Sequence, residues 1–255
     1  MLHPRLAAPH NSKLGGLIHS WSLPSVATCP GASALCRMKC YTTRGHFCHH
    51  SIQKAYQRNY DFSRTADFVP WMQGALMASF VRVMRVHVSG DFYDPVYVRK
   101  WVSIARASRH ITFFAYTRSW RADEMLPELI RFSRLPNVHL WWSTDRETGP
   151  APAIRGIRTA YMAVNDIDGA HAPNHADLVF RDLPPWGPTP TAMKRANGVL
   201  VCPAENGVKG KTKHTCSTCK LCWTARQPKW ETAMATTYNL SLTATELRAP
   251  IPIAV

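Results

Sequence analysis

Short apolar segments alternate with amphipathic segments through most of this chain, and this alternation restricts the fold more than any other feature. Nearly continuous apolar strands are typical of parallel sheets that are covered on both faces. The pattern predicts an α/β protein whose parallel sheet is doubly wound or forms a full or partial (β/α) barrel. The predicted strands are residues 17–23, 83–88, 111–116, 138–142, 159–164 and 177–180, and the predicted helices are residues 51–63, 68–81, 95–108 and 123–134.

A proline-rich stretch at residues 183–190 marks the end of this alternating region. Proline suits neither a helix interior nor a central strand, so we expect an irregular loop there. Residues 1–182 then form a barrel-like α/β body with an N-terminal cysteine loop. Residues 191–230 form a cysteine-rich, metal-binding extension packed on the body, and residues 231–255 form a C-terminal tail.

Polar residues follow the predicted strands, at the edge where parallel α/β proteins place their sites. Ser89, Gly90 and Asp91 follow one strand, and Arg118 follows the next. Asp91 and Arg118 are therefore candidates for positioning a ligand, with Arg118 suited to an anionic substrate or a cofactor carboxylate. The alternative is that these residues only cap helices and connect elements.

The first group of cysteines directly follows the first predicted strand. Cys29, Cys36, Cys40 and Cys48 have the spacing C-x6-C-x3-C-x7-C, and a helical turn would place Cys36 and Cys40 on one face. Three close thiols suit an iron–sulfur cluster with one iron left open. Zinc is an alternative, with Cys48, His49 or His50 as fourth ligand, and so is a set of buried cysteines that packs a helix face.

The second group contains Cys202, Cys216, Cys219 and Cys222. The run C-x2-C-x2-C with a remote Cys-Pro resembles bacterial ferredoxins, which bind 4Fe–4S clusters through such runs. Zinc ribbons use two separated C-x2-C pairs instead, although His214 is available as a zinc ligand. Two roles are open for a cluster bound here. It either carries out chemistry or only stabilises this part of the chain.

The formal net charge is +15, and the positive residues are concentrated near the cysteines. Residues 1–60 contain seven Lys and Arg and no acid, and residues 194–230 contain eight against one acid. Such segments either contact the phosphates of DNA or RNA or balance the charge of a thiolate–metal site. The chain has no membrane-length apolar run and no secretory signal, so we expect a reducing cytoplasm, where cysteines are ligands or catalysts rather than disulfides.

With both cysteine groups placed, the chain resembles a family of phage-associated proteins known as gene product 88. The resemblance covers most of residues 11–223. It runs through the segments NSKLGGLIHSWSLP, CPGASALCRMKCYT, VHVSGDFYD, FAYTRSW and VCPAENG. It implies a phage protein, which would place the chain in the host cytoplasm, and it implies no particular activity.

The order of motifs is also loosely similar to that of radical S-adenosylmethionine (SAM) enzymes. Those enzymes have a partial (β/α) barrel, a three-cysteine loop after the first strand, and a glycine-containing acidic turn after the second. The resemblance implies a radical-SAM-like barrel here, with Ser89, Gly90 and Asp91 as the turn that holds SAM and Asp91 facing its ammonium group.

These observations predict a protein with one or two 4Fe–4S clusters, acting as a redox or radical-SAM-like enzyme on an unknown small-molecule or nucleic-acid substrate. The alternative function is that of a nucleic-acid-binding protein that is stabilised by zinc and has no catalytic activity. The predicted metal ligands are all eight cysteines of the two groups.

Overall fold

The computed structural model describes residues 4, 6–7, 13–164, 172–182, 195–204 and 215–224. The proline-rich loop at 183–190, His214 and the tail at 231–255 lie outside the described residues, and the proposed division of the chain stays a prediction. In the described part, no helix is long and apolar enough to cross a bilayer.

Six parallel strands form the main sheet, and each pairs with the next one along the chain. Because parallel crossovers are right-handed, this sequential order places the crossover helices on one side of the sheet and makes the sheet a half-barrel. The sheet is thus not doubly wound, which was the other arrangement compatible with the sequence. The strands are β1 Ile18–Trp21, β2 Val83–Val86, β3 Thr112–Thr117, β4 Val138–Thr144, β5 Arg158–Ala163 and β6 Leu178–Arg181.

The described helices follow the predicted pattern with local differences. They are α1 Ala34–Met38, α2 His50–Ser63, α3 Phe68–Ala78, α4 Pro95–Ala107, α5 Leu126–Ser133 and α6 Cys216–Cys219. Asp94 caps α4, accepting the Tyr97 N–H at 2.6 Å. Helix α3 ends before residue 81 because Phe80 adopts a left-handed φ of 49°, a common helix terminus. Residues 123–134 form a short 3-10 turn followed by α5, which has Pro127 in its first turn.

Apolar residues pack on both faces of the sheet. On the convex face, helices α3, α4 and α5 cover alternate strand residues such as Phe113 and Trp142. On the concave face, Phe114 and Trp141 pack with Cys202 and Cys222. The half-barrel therefore has an interior that is filled in part by residues of the second cysteine group.

A short hairpin brings the C-terminal segment to the edge of the sheet. Strands β7, Arg195–Ala196, and β8, Val199–Leu200, pair antiparallel through a turn at Asn197 and Gly198, which both have positive φ. Beyond it, Val201 forms a parallel bridge with Val179 of β6, and the Cys202 N–H donates to the Val179 carbonyl at 2.8 Å. The position of Cys202 is therefore fixed by main-chain hydrogen bonding to the sheet.

Candidate metal centres

The segment with Cys29, Cys36 and Cys40 lies on the carboxyl edge of the half-barrel, against the turns that follow β2 and β3. A Cβ added to Gly31 would lie 1.8 Å from the Arg118 carbonyl oxygen, so this contact leaves room only for glycine. Gly90 has a φ of 78°, and a Cβ there would lie 2.6 Å from Thr28 Oγ1. The cysteine segment and the two polar turns therefore share one closely packed edge.

The turn after β4 holds the start of helix α1, which carries Cys36. Ser33 Oγ donates to the Asp145 carboxylate at 2.7 Å and accepts the Cys36 N–H at 2.9 Å. The adjacent Leu35 N–H donates to Glu147 at 2.7 Å. Because the Asp145 side chain is fully buried, the position of Cys36 depends on residues more than a hundred positions away.

Arg118 and Asp91 are held by the same set of turns. Arg118 forms an ion pair with Asp145, with 3.2 Å between Nη2 and Oδ2. The Asp91 carboxylate accepts the main-chain N–H groups of Phe92 and Arg118, each at 2.8 Å. Burial raises the pKa of the Asp91 carboxyl to about 6, although these hydrogen bonds oppose the shift. Both side chains thus tie neighbouring turns together.

The three thiols of this segment are close enough to interact electrostatically. Burial and, to a smaller extent, the charges of Asp91, Cys36 and Cys40 together raise the pKa of Cys29 to about 12. Cys36 interacts with Cys40, Asp91 and Arg118. Cys48, by contrast, is exposed. The structure therefore places Cys29 and Cys36 near Asp91, and Cys40 near these two thiols.

The prediction that Cys36 and Cys40 share a helical turn is wrong. Helix α1 ends at Met38, and Cys40 has a non-helical backbone with φ −59° and ψ 114°. Cys29 precedes α1 in a loop, so the three thiols come from three different backbone conformations. A loop of this kind can surround a bound group, whereas a helix presents its side chains along one face.

The second group of cysteines gathers on the concave face. All four predicted ligands line one small cavity together with Leu178, Pro203, Ala204 and Leu221; they are Cys202, Cys216, Cys219 and Cys222. Cys216 and Cys219 belong to α6, which begins with a capping box formed by Thr215 and Thr218. Two chain segments, one at the sheet edge and one at α6, therefore converge on a single apolar cavity.

Helix α6 is fixed by the N-terminal segment that precedes β1. The Cys216 and Ser217 N–H groups donate to the carbonyls of Lys13 and Leu14 at 2.9 and 3.0 Å. Gly15 has a φ of 83°, and a Cβ there would lie 2.7 Å from Thr215 Oγ1. The two ends of the described chain are thus packed against each other at this cysteine group.

The residues around Cys222 bind its main chain. Trp141 Nε1 donates to the Cys222 carbonyl at 2.9 Å, and Arg158 donates to the carbonyls of Leu221 and Cys222 at 2.8 and 3.2 Å. Burial raises the pKa of the Cys222 thiol to about 11. Among the described residues, no three His, Cys, Asp or Glu side chains are already at metal-binding separation, and all eight cysteines are free thiols.

A family model described as Gene product 88 matches residues 4–225, a range that includes both groups of cysteines. The chain belongs to this family. Among its gene product 88 relatives, the Gene 88 protein of Mycobacterium phage L5 is 26% identical over 234 residues, covering 83% of this chain and 85% of the relative. The Gene 88 protein of Mycobacterium phage D29 is 28% identical over 170 residues, covering 60% of this chain and 69% of the relative. No solved structure matches the chain.

Several residues of these two candidate sites were not singled out from the sequence. Asp145 was visible only as one polar residue after a strand, and Ser33 and Glu147 gave no signal of their pairing with it. Arg158 lies within a strand, where sequence alone does not reveal that it holds the carbonyl of a cysteine 64 residues away. The predicted roles of the cysteines, Ser89, Gly90, Asp91 and Arg118 stay predictions.

Proposed function

We propose that this gene product 88 protein is an iron–sulfur protein with two separate 4Fe–4S centres. The observation that carries the proposal is the cavity lined by Cys202, Cys216, Cys219 and Cys222. Four thiols from two segments match the ligand set of such a cluster or of a structural zinc ion. Rotation about χ1 moves each sulfur between staggered positions without moving the backbone, so the set can adjust around a bound group.

Cys29, Cys36 and Cys40 would hold the other cluster at the carboxyl edge of the half-barrel, with one iron open to a ligand. Ser89 Oγ and Arg118 Nε are buried there, and neither has a hydrogen-bond partner among the described residues. A buried polar atom without a partner costs about 1–3 kcal/mol, which favours a polar ligand at this edge. SAM, with its ammonium and carboxylate groups, is the ligand we propose, and a bound cluster would supply one-electron transfer to it.

The chain's own residues would orient that ligand and keep the cysteines in place. Asp91 is fixed by two main-chain N–H groups, and Arg118 is fixed by Asp145. Prepositioned groups lose little conformational freedom on binding, so they hold a ligand in one geometry. In this proposal the protein is a redox or radical-SAM-like enzyme.

The test is to count iron, sulfide and zinc in protein purified without oxygen. We compare the wild type with Cys36→Ala, Cys219→Ala and, as matched control, Cys48→Ala, which removes an exposed thiol. Each of the first two variants should lose about half of the iron and sulfide, and the control should lose none. A colourless wild-type protein with stoichiometric zinc and no sulfide would overturn the iron–sulfur proposal.

A second candidate function is zinc-stabilised binding of nucleic acid without catalysis. The net charge of +15 and the exposure of Arg37, Lys54 and Lys220 near the cysteine segments favour it. Lys and Arg contacts to phosphates release counterions, so affinity for DNA or RNA should fall steeply between roughly 50 and 200 mM salt. Affinity that is constant over this range would count against this function.

A further inference from the structure

Three inward-facing aromatic rings of the half-barrel each have a positively charged side chain lying over the ring face. The Arg85 guanidinium lies over Tyr116 at 5.5 Å, and that of Arg158 lies over Trp141 at 3.9 Å. The Lys13 ammonium lies over Phe180 at 5.1 Å. These pairs surround the concave core that contains Cys202 and Cys222, so the second cysteine group lies in a positively charged environment.

Arg85 and Arg158 have different relations to this group. Arg158 donates to the carbonyls of Leu221 and Cys222, so it has a direct structural role. The hydrogen bond that Arg85 makes runs from Nε to the His87 carbonyl at 3.2 Å. Within the described ranges, no Asp or Glu forms an ion pair with Arg85. A half-buried cation without an acidic partner is costly unless an anion compensates it.

The groups near Arg85 that can become such an anion are the hydroxyls of Tyr41 and Tyr116 and the thiols of Cys216 and Cys222, and metal binding deprotonates only the thiols. The Tyr116 ring beneath Arg85 packs against the core that contains Cys202 and Cys222. The Tyr116 hydroxyl is buried and interacts with the Cys222 thiol. A cation and a buried hydroxyl therefore lie beside the thiols of the second cysteine group.

We propose that Arg85 is the charge-compensating residue of the four-cysteine centre and sets its reduction potential. This inference rests on the proposed function, since four thiolates carry negative charge only when they bind a metal or cluster. Adding an electron makes a thiolate-bound cluster more negative, so a fixed cation beside it favours the reduced form and raises the potential. Arg85 acts through the electrostatic field of its positive charge and touches no substrate. We therefore class it as a positioning residue rather than a catalytic residue.

The test isolates the second centre by working in the Cys36→Ala background. The midpoint potential of the remaining cluster is measured by anaerobic titration, with dithionite as the one-electron reductant, for Arg85, R85Q and R85K. R85Q should lower the equilibrium constant for reduction about tenfold, a decrease of about 59 mV for a one-electron couple. R85K keeps the charge and should recover most of the loss, and R106Q on the exposed face of α4 serves as control.

The outcomes separate this inference from the function on which it rests. A cluster-loaded R85Q protein with an unchanged potential would overturn the role of Arg85 and leave the iron–sulfur proposal intact. A Cys36→Ala protein without iron or sulfide would overturn the iron–sulfur proposal itself. Circular dichroism checks folding, and R85M, which keeps apolar contact with Tyr116, replaces R85Q if R85Q fails to fold.

Discussion

Replacing Gly31 with alanine would test how firmly the three-cysteine segment is attached to the half-barrel. The new Cβ would lie 1.8 Å from the Arg118 carbonyl oxygen and 2.4 Å from its carbonyl carbon, far inside van der Waals contact. The segment must move away, which also breaks the hydrogen bond from Arg121 Nη1 to the Gly31 carbonyl at 2.9 Å. Overpacking costs about 1–3 kcal/mol and a lost hydrogen bond about 1 kcal/mol, so we expect a loss of about 2–4 kcal/mol.

The assay is urea unfolding of wild-type, Gly31→Ala and Gly74→Ala proteins, combined with metal analysis. Gly74 lies inside α3, and a Cβ there meets nothing within 4 Å. Alanine at Gly74 should therefore stabilise the helix by about 0.5–1 kcal/mol. If Gly31→Ala unfolded at the same urea concentration as the wild type and kept its iron, the close contact between this segment and the turn after β3 would be refuted.

Three other substitutions probe separate contacts. Asp145→Asn weakens the buried ion pair with Arg118 and the hydrogen bond from Ser33. We expect the free energy of unfolding in urea to fall by about 3 kcal/mol and the iron content of the first centre to fall as well. Wild-type values for both quantities would contradict this. Gly15→Ala should disturb the docking of α6 and lower the metal content of the second centre. Gly16→Ala is the control and should do neither, because its Cβ meets nothing within 4 Å. Equal effects of the two substitutions would argue against this docking. Burial lowers the pKa of His87 to about 3, whereas an unfolded histidine has a pKa of about 6.5. The stability that the neutral His87 contributes is therefore complete above about pH 6.5. It is lost as pH falls from about 6.5 towards 3, at about 1.4 kcal/mol per pH unit. Urea unfolding of His87→Gln should show a smaller loss between pH 6 and pH 4 than the wild type; an identical pH dependence would contradict the assignment.

The sequence predicted the strands of this fold better than the way in which they are wound. Apolar runs such as that of β3 identify buried parallel strands because both faces of such strands are covered. The order of strands in a sheet depends on contacts between distant segments, and a doubly wound sheet has the same local pattern. Only the pairing of each strand with the next, from Ile18 with Val83 onward, reveals the half-barrel.

The candidate centres show the same difference between local and distant information. Cysteine spacing predicted that Cys216, Cys219 and Cys222 lie together, since residues three or six positions apart remain close in most conformations. It did not predict that Ser33 pairs with Asp145, 112 residues away, or that Arg158 holds the carbonyl of Cys222. Such pairs depend on how the turns of different strands meet at one edge, which no short window of sequence contains.

The hydrogen bond between Ser217 and Leu14 joins positions 203 residues apart. During synthesis, the half-barrel strands leave the ribosome well before α6 does, and chains generally form their earlier units first. The nascent chain therefore presents Cys29, Cys36 and Cys40 to the cell while Cys216, Cys219 and Cys222 are still untranslated. If the two groups bind clusters as we propose, the first set of thiols is available for loading before the second, whose last member, Cys222, is made about 180 residues after Cys40.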